Sequence, residues 1–254
     1  ISIIIVSLNT KTDFQNTINS VISQNEKLEL IVIDGKSVDG TLDVIKKNSK
    51  LINKLVIEKD DGIYSAMNKG INLASKKWIY FLNSGDVFHS NQTIKNTIKI
   101  LKKNENFDVI IGNSIVRKKN SLTKSPRKEL NNSTVSSCFS HQSTFTKTEL
   151  LKKYFFNTKY KFASDFDFFL KLFNSKKKFL YIDELISINK SGGISDINRL
   201  EVYAEFKKIV FSQNKNLTNI FKINFLILLN LKKKIIKLVL PNSLIDKIIF
   251  YIDK

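Results

Sequence analysis

Carboxylates recur along the first third of the chain, each just after a short apolar run. Asp34 closes Val32-Ile33-Asp34, the pair Asp60-Asp61 precedes Gly62, and Asp86 closes Asn83-Ser84-Gly85-Asp86, while Asn9 follows the opening run. If the runs are parallel strands, these groups gather at one edge of a sheet, where ligands of open α/β sheets bind. A carboxylate there can hold Mg²⁺ or Mn²⁺ that also grips a diphosphate, because such ions take only one or two protein carboxylates. The ordinary reading of Asp39, Asp61 and Ser84 taken singly is helix capping or turn formation. Their coincidence at successive run ends is what points to a ligand. Farther along stand Asp165 and Asp167 in Ala163-Ser164-Asp165-Phe166-Asp167, and His141-Gln142 within Ser140–Phe145. His141 reads either as a substrate or diphosphate contact or as a hydrogen-bonded structural histidine.

Other chemistries are excluded. Leu8-Asn9-Thr10-Lys11-Thr12 contains no glycine, so the first run leads into neither a dinucleotide fingerprint nor a P-loop. One cysteine and two histidines provide no disulfide framework and no histidine-ligated metal site, which makes a reducing compartment the default. Cys138 reads as a packed thiol and His89 as incidental.

The elements that must position these residues follow from the hydropathy pattern. Apolar runs at Ile1–Leu8, Leu28–Ile33, Leu55–Ile57, Trp78–Leu82 and Val109–Val116 are short, continuous and rich in Ile and Val, as strands buried on both faces are. Helical spacing fills the intervals: Ile18, Val21 and Ile22, then Ile63, Met67, Gly70, Ile71 and Ala74, then Ile94, Ile98 and Leu101. That alternation predicts an α/β sandwich around a largely parallel sheet. A basic polar loop is expected over 117–135, a strand over Cys138–Phe145, a helix start near Lys147, a helix from about Ser164 to Phe173, and a strand over Phe179–Ile188. Helix is expected from Asn198 onward, interrupted at Pro241.

The 254 residues carry a formal net charge of +19. A nucleic-acid-binding protein is the competing class, but the charge is spread thinly, no basic stripe interleaves with aromatics, and no nucleic-acid motif is present. The opening run lacks a basic leader, so no secretion signal is expected. Phe225–Leu231 is broken by Asn230 and Lys232-Lys233-Lys234, so no bilayer span is expected.

At this point the sequence resembles the family 2 glycosyltransferases of the GT-A fold, particularly those that build bacterial surface polysaccharides. Ile3–Asn9 is similar to the family's opening strand, and Val32–Thr41 to its "VIDGGSTDGT" stretch. Asp60–Gly70, running into Trp78–Asp86, resembles the "D-x-G-I-Y-D-A-M-N-K-G … F-L-N-S-D-D" block. Ala163–Asp167 and Gly192-Gly193-Ile194-Ser195 resemble acceptor-side motifs. The resemblance spans roughly residues 1–195, in order. It implies a GT-A catalytic domain over 1–195, with 1–116 as the nucleotide-sugar half and 117–195 as the acceptor half, followed by a helical extension over 196–254. It implies an inverting, metal-dependent transfer from a nucleotide-diphosphate sugar, of hexosyl or N-acetylhexosaminyl class. Asp165 would be the catalytic base and Asp86 the metal-facing member of the DXD-like element, with Mn²⁺ or Mg²⁺. Asp34 would accept a hydrogen bond from the nucleobase, with Asn9 nearby, and Asp61, Asn68, Lys69, Asn83 and His141 would complete the donor site. Asp167 is the alternative base. The sequence departs from the pattern at Asn83 and Gly85, where Asp is usual, and at Met67, where Arg is frequent. Those departures admit a catalytically inactive GT-A scaffold as a further alternative and leave Lys69 to contact phosphate or solvent.

Beyond the resemblance, Leu217, Ile220, Phe221, Phe225, Leu228 and Leu229 recur at helical spacing, followed by Leu231, Ile235, Ile236, Leu238 and Val239, with Lys222, Lys232, Lys233, Lys234 and Lys237 beside them. After Pro241 come Leu244, Ile245, Ile248, Ile249, Phe250 and Ile252. A core-packing helix could carry such a face. The basic cluster favours an interfacial segment on an anionic membrane surface, which predicts a cytoplasmic protein peripheral on the inner face of the cell membrane. A saccharide or lipid-linked saccharide is the acceptor expected there, and no nucleic acid is expected as a partner.

Overall fold

The computed structural model describes residues 1–118, 121–125, 127–213 and 217–239. The chain divides into two compact units, one formed by Ile1–Asn131 with Ser137–Ser191 and the other by Asn132–Ser136 with Gly192–Lys254.

The first unit runs β1 (Ser2–Ser7), α1 (Lys11–Ile22), β2 (Glu29–Asp34), α2 (Thr41–Lys47), β3 (Lys54–Ile57), α3 (Ile63–Leu73), β4 (Trp78–Phe81), β5 (Val87–Phe88), α4 (Thr93–Lys103), β6 (Val109–Lys118), β7 (Ser121–Lys124), β8 (Thr144–Lys147), α5 (Thr148–Tyr154), α6 (Ser164–Asn174) and β9 (Phe179–Lys190). Strands β3-β2-β1-β4 are parallel. Next to β4 lies β8, antiparallel both to it and to β6. Then β9 runs parallel to β6, and the short β5 pairs antiparallel to β9.

The runs of β1, β2 and β4 are buried throughout because both sheet faces are covered there, whereas the run expected to be buried at β3 alternates, with Leu55 and Ile57 exposed. Ile4, Val6, Ile31 and Ile33 pack on one face with Met67 and Ile71 of α3, Leu150 of α5 and Phe168 of α6. Ile3, Ile5 and Val32 pack on the other with Phe14 and Ile18 of α1, Ile45 of α2 and Ile94 of α4. Helix α3 lies so close to β1 that a Cβ on Gly70 would stand 2.5 Å from Ile4 Cγ2, so the position admits only glycine without repacking.

Two expectations are corrected. The strand expected over Cys138–Phe145 begins only at Thr144, because a tight turn at His141–Ser143 precedes it. Ser140 organises that turn: its carbonyl accepts from the hydroxyls of Ser143 (3.0 Å) and Thr144 (2.9 Å), local bonds that compete with a ladder. The loop expected over 117–135 opens as a ladder instead, since β6 extends to Lys118 and pairs with β7. All four β7 residues are exposed, so hydropathy carries no sign of it. Lys119 and Asn120 lie outside the described residues.

The second unit holds α7 (Ile194–Ile197), α8 (Arg199–Gln213) and α9 (Leu217–Val239). In α8, Val202, Phe206, Ile209 and Val210 are buried, and in α9 Ile223 and Asn219 are. Asn219 Nδ2 donates to Asn132 O (2.9 Å). Pro241 and the apolar stretch after it lie outside the described residues, as do the side chains of Leu217 and of 233–239. Among the described residues no helix is long and apolar enough to cross a membrane.

Candidate active site

At the ends of β1 and β2 the polar groups are bonded to one another. Asp34 is fully buried, and its carboxylate accepts from Ser37 N (2.7 Å), Ser37 Oγ (2.7 Å) and Ser7 Oγ (2.8 Å). Asn9 is exposed and adopts φ 51°. Its Oδ1 accepts from Val38 N (2.8 Å), and its N–H donates to Ser37 Oγ (2.8 Å). Asp39 bridges the starts of two helices, taking Lys11 N on Oδ2 (2.9 Å) and the amide and hydroxyl of Thr41 on Oδ1 (3.0 and 2.6 Å). The Thr41 hydroxyl, followed by the amides, holds the Asp39 carboxyl below the usual range. These residues build the rim of the edge.

The end of β4 differs. Gly85 sits at φ +100°, a backbone a side chain would strain, and its N–H donates to Thr17 Oγ1 (2.9 Å), which in turn donates to Asp86 O (2.9 Å). Here Gly85 is the hinge of the turn. Asp86 is 4% exposed, and its Oδ1 accepts from Lys190 N (2.9 Å) at the end of β9. Burial pushes its carboxyl up to about 6, against the pull of the Lys190 amide and the Gln142 side chain. Lys190 Nζ pairs with Asp13 of α1 (2.6 Å).

From this turn a hydrogen-bonded chain leads to α6. Asn83 Nδ2 stands 3.2 Å from His141 Nε2, and His141 Nδ1 stands 3.0 Å from Asp165 Oδ2. Asp165 Oδ1 accepts from Tyr64 Oη (3.0 Å) and from its neighbour's amide, Phe166 N (2.9 Å). Burial pushes the Asp165 carboxyl up, but the bond and charge of His141, followed by the bonds from Tyr64 and the Phe166 amide, outweigh it and hold the group below the usual carboxylate range. The Asp165 side chain retains 17% exposure, enough for one lone pair to meet a ligand. Three buried polar atoms flanking the chain have no partner among the described residues: Asn83 Oδ1, Ser84 Oγ and Ser164 Oγ. Native proteins rarely leave such atoms unsatisfied, so they mark where a ligand's polar groups belong.

Other candidate residues lie apart from this chain. The amide of Asn68 is spent on the backbone of Phe156, donating to its carbonyl (2.8 Å) and accepting from its N–H (2.9 Å). Lys69 is ion-paired with Glu58 and Asp60 (2.7 Å each). Asp61 is exposed before α3, Asp167 is buried in α6, and His89 is exposed. Three participants had no role in the sequence reading. Tyr64 sits inside the Asp60–Gly70 stretch, where its type alone could have flagged it. Lys190 acts through a backbone N–H, and Asp13 meets a partner 177 positions away, so neither leaves a local sign.

Could this end of the sheet hold a divalent cation? Asp86 supplies one buried carboxylate whose raised pKa a cation would reverse, and Asn83 Oδ1 and Ser84 Oγ are unspent oxygens beside it. That donor set suits a hard cation that draws its remaining ligands from a diphosphate and water.

The family model for glycosyl transferase family 2 matches residues 2–179. The chain belongs to that family and is a glycosyltransferase. It is 28% identical over 203 residues to the PGL/p-HBAD biosynthesis glycosyltransferase of Mycobacterium bovis, covering 77% of this chain and 78% of that one. Over 125 residues it is 33% identical to the UDP-Glc:alpha-D-GlcNAc-diphosphoundecaprenol beta-1,3-glucosyltransferase WfgD of Escherichia coli, covering 46% and 49%. Among solved structures it is similar to S. aureus TarS 1-349 in complex with UDP-GlcNAc, with TM-score 0.66, 19% identity and coverage of 89% and 71%. It is also similar to the mannosyltransferase PcManGT from Pyrobaculum calidifontis in complex with GDP-Man and Mn²⁺, with TM-score 0.65, 16% identity and coverage of 88% and 68%. The structural likeness shows the GT-A fold that the sequence resemblance implied.

Proposed function

We propose that the protein is an inverting transferase. It would move a hexosyl or N-acetylhexosaminyl group from a nucleoside-diphosphate sugar to a saccharide or lipid-linked saccharide, in bacterial surface polysaccharide or glycolipid assembly. Residues 1–116 would form the donor half and 117–195 the acceptor half. The observation that carries this reading is Asp165, which is ionised, partly exposed and joined through His141 to the turn that bears Asp86. In the reaction Asp165 takes the proton of the acceptor hydroxyl as that oxygen bonds to the anomeric carbon. The bond from that carbon to the diphosphate oxygen breaks, and the nucleoside diphosphate leaves with the electron pair. A divalent cation, Mn²⁺ or Mg²⁺, held by Asp86 with Asn83 Oδ1 beside it, would neutralise the charge developing on the leaving diphosphate. The nucleotide-sugar complexes of TarS and PcManGT, the Mn²⁺ in the latter, and the diphosphoundecaprenol acceptor in the name of WfgD support donor, ion and acceptor class respectively.

A thermal-shift and hydrolysis screen across UDP- and GDP-sugars, with and without Mn²⁺, tests the reading. Stabilisation by at least one donor is expected, with a Mn²⁺-dependent part that Asp86→Ala removes. No response to any donor overturns it. Donor binding without hydrolysis or transfer would instead indicate an inactive scaffold.

Helix α9 supports a peripheral site of action on the anionic inner face of the cell membrane. Phe221, Phe225 and Leu228, at spacings of four and three, are 73%, 61% and 61% exposed on one side of the helix, and Lys222 and Lys232 are exposed with them. Insertion of that stripe, with each lysine adding about 1 kcal/mol near an anionic surface, gives salt-sensitive docking. Full-length protein should co-sediment with phosphatidylserine vesicles at low salt, and the triple substitution Phe221→Ser, Phe225→Ser, Leu228→Ser should stay in the supernatant. Equal partitioning of the two proteins would reject docking.

A further inference from the structure

The Asn83-His141-Asp165 chain has a direction. Asp165 is ionised and accepts only, so His141 Nδ1 must carry the proton that lies between them. His141 Nε2 faces Asn83 Nδ2, a donor, so in a neutral ring Nε2 is the acceptor. The two contacts therefore select one tautomer, with hydrogen on Nδ1 and none on Nε2. The same geometry keeps His141 from acting as the proton acceptor, because its only basic nitrogen is already occupied. It also fixes Asp165: with Oδ1 tied to Tyr64 and the Phe166 amide and one lone pair of Oδ2 on His141, the remaining Oδ2 lone pair is the one left to face an incoming hydroxyl.

We infer that His141 is a positioning residue for Asp165, locked as the Nδ1–H tautomer by the amide of Asn83, so that the turn bearing the cation site also sets the aim of the base. The inference rests on the reading of Asp165 as the base. A carboxylate at position 83 would present only acceptors to Nε2, would draw a proton there, and would leave the neutral ring without a donor for Asp165. With Nδ2 committed to His141, Asn83 Oδ1 is turned away from the ring, and it is this atom that is buried without a partner. A donor-sugar hydroxyl or the cation that satisfies Oδ1 would hold the amide in the orientation His141 needs. Donor occupancy is thereby coupled to the orientation of the base.

Two measurements test this. The chain has two histidines, so ¹⁵N long-range spectra of the full-length protein contain two imidazoles, and His89→Gln assigns them. His141 is expected to carry hydrogen on Nδ1, and Asn83→Asp is expected to place a proton on Nε2. A wild-type ring with no hydrogen on Nδ1 overturns the inference. The second measurement is nucleotide release from UDP-glucose, UDP-GlcNAc and GDP-mannose with Mn²⁺ and water as acceptor. His141→Gln, which lacks a donor at the Nδ1 position, should lower kcat at least ten-fold with KM changed less than about three-fold. His141→Asn, whose Nδ2 falls near the position of Nδ1, should recover most of that loss. A raised KM with unchanged kcat, or equal loss in the two variants, would make His141 a donor contact or a packing residue and overturn the inference. If the wild type releases nucleotide from none of these donors, the proposed donor chemistry fails while the tautomer spectrum still decides the placement of His141.

Discussion

Two stretches of one sheet edge treat their carboxylates differently. At the ends of β1 and β2, Asp34, Asp39, Asn9 and Ser37 satisfy one another and the backbone. At the end of β4, Asp86 is buried with its pKa raised, and Asn83, Ser84 and Ser164 keep buried oxygens without partners. A self-satisfied cluster already holds its partners within the fold. An unsatisfied cluster lowers the stability of the fold until something fills it, which is characteristic of a site. The difference sorts Asp34 and Asp39 from Asp86 without reference to any relative.

The largest expected effect lies on the β4 side. Asp165→Asn removes a carboxylate that is at once ionised, partly exposed and held by three donors, and transfer should fall by 10²-fold or more, about 2.7 kcal/mol in barrier. Donor affinity, measured by calorimetry with Mn²⁺, should stay within a few-fold because the base faces the acceptor. Near-normal turnover would break the comparison and move the role to Asp167. The next effect lies on the saturated side. Asp34→Asn replaces an acceptor for three donors by an amide that turns a donor of its own toward them. With the group fully buried, unfolding by denaturant should show a loss of about 2 kcal/mol. An unchanged midpoint would mean that the Asp34 cluster is not the structural clasp its geometry implies.

Much of this contrast was legible in the sequence, and the rest has identifiable causes. The continuous Ile/Val runs marked β1, β2 and β4, because burial on both faces leaves that imprint wherever helices cover a sheet, while β3 has one exposed face despite its apolar run. The position of Asp86 after β4 followed from the same pattern, and Asp165 came through the resemblance. The state of the groups was hidden. Whether Asp34 is spent depends on Ser7 and Ser37, and whether Asp86 is spent depends on a backbone amide 104 positions away. His141 could be read only as a contact or a structural histidine, since its role depends on which nitrogen faces which neighbour. Strand β7 escaped notice because both its faces are wet and it carries no hydropathy signal.

The smallest expected effect is the sharpest test of the comparison, because its sign is opposite to that at Asp34. A carboxyl whose folded pKa is raised from 3.8 to about 6 binds its proton more tightly in the folded chain than in the unfolded one. Stability contributed by the protonated form is therefore full below about pH 4 and is lost as the pH rises toward 6, after which the ionised, buried Asp86 is a standing penalty. Two pKa units correspond to at most about 3 kcal/mol, and relaxation around the site would leave about 1–2 kcal/mol. Asp86→Asn retains an oxygen for the Lys190 amide and removes the buried charge. In metal-free buffer at pH 7.5 it should raise Tm by a few degrees, and that gain should vanish by about pH 4, where Asp86 itself is neutral. Added Mn²⁺ with a nucleoside diphosphate should stabilise the wild type and not the variant, so the order of the two Tm values should reverse. If Asp86→Asn lowers Tm at every pH, as Asp34→Asn is expected to, the two stretches of the edge are alike and Asp86 is a structural carboxylate.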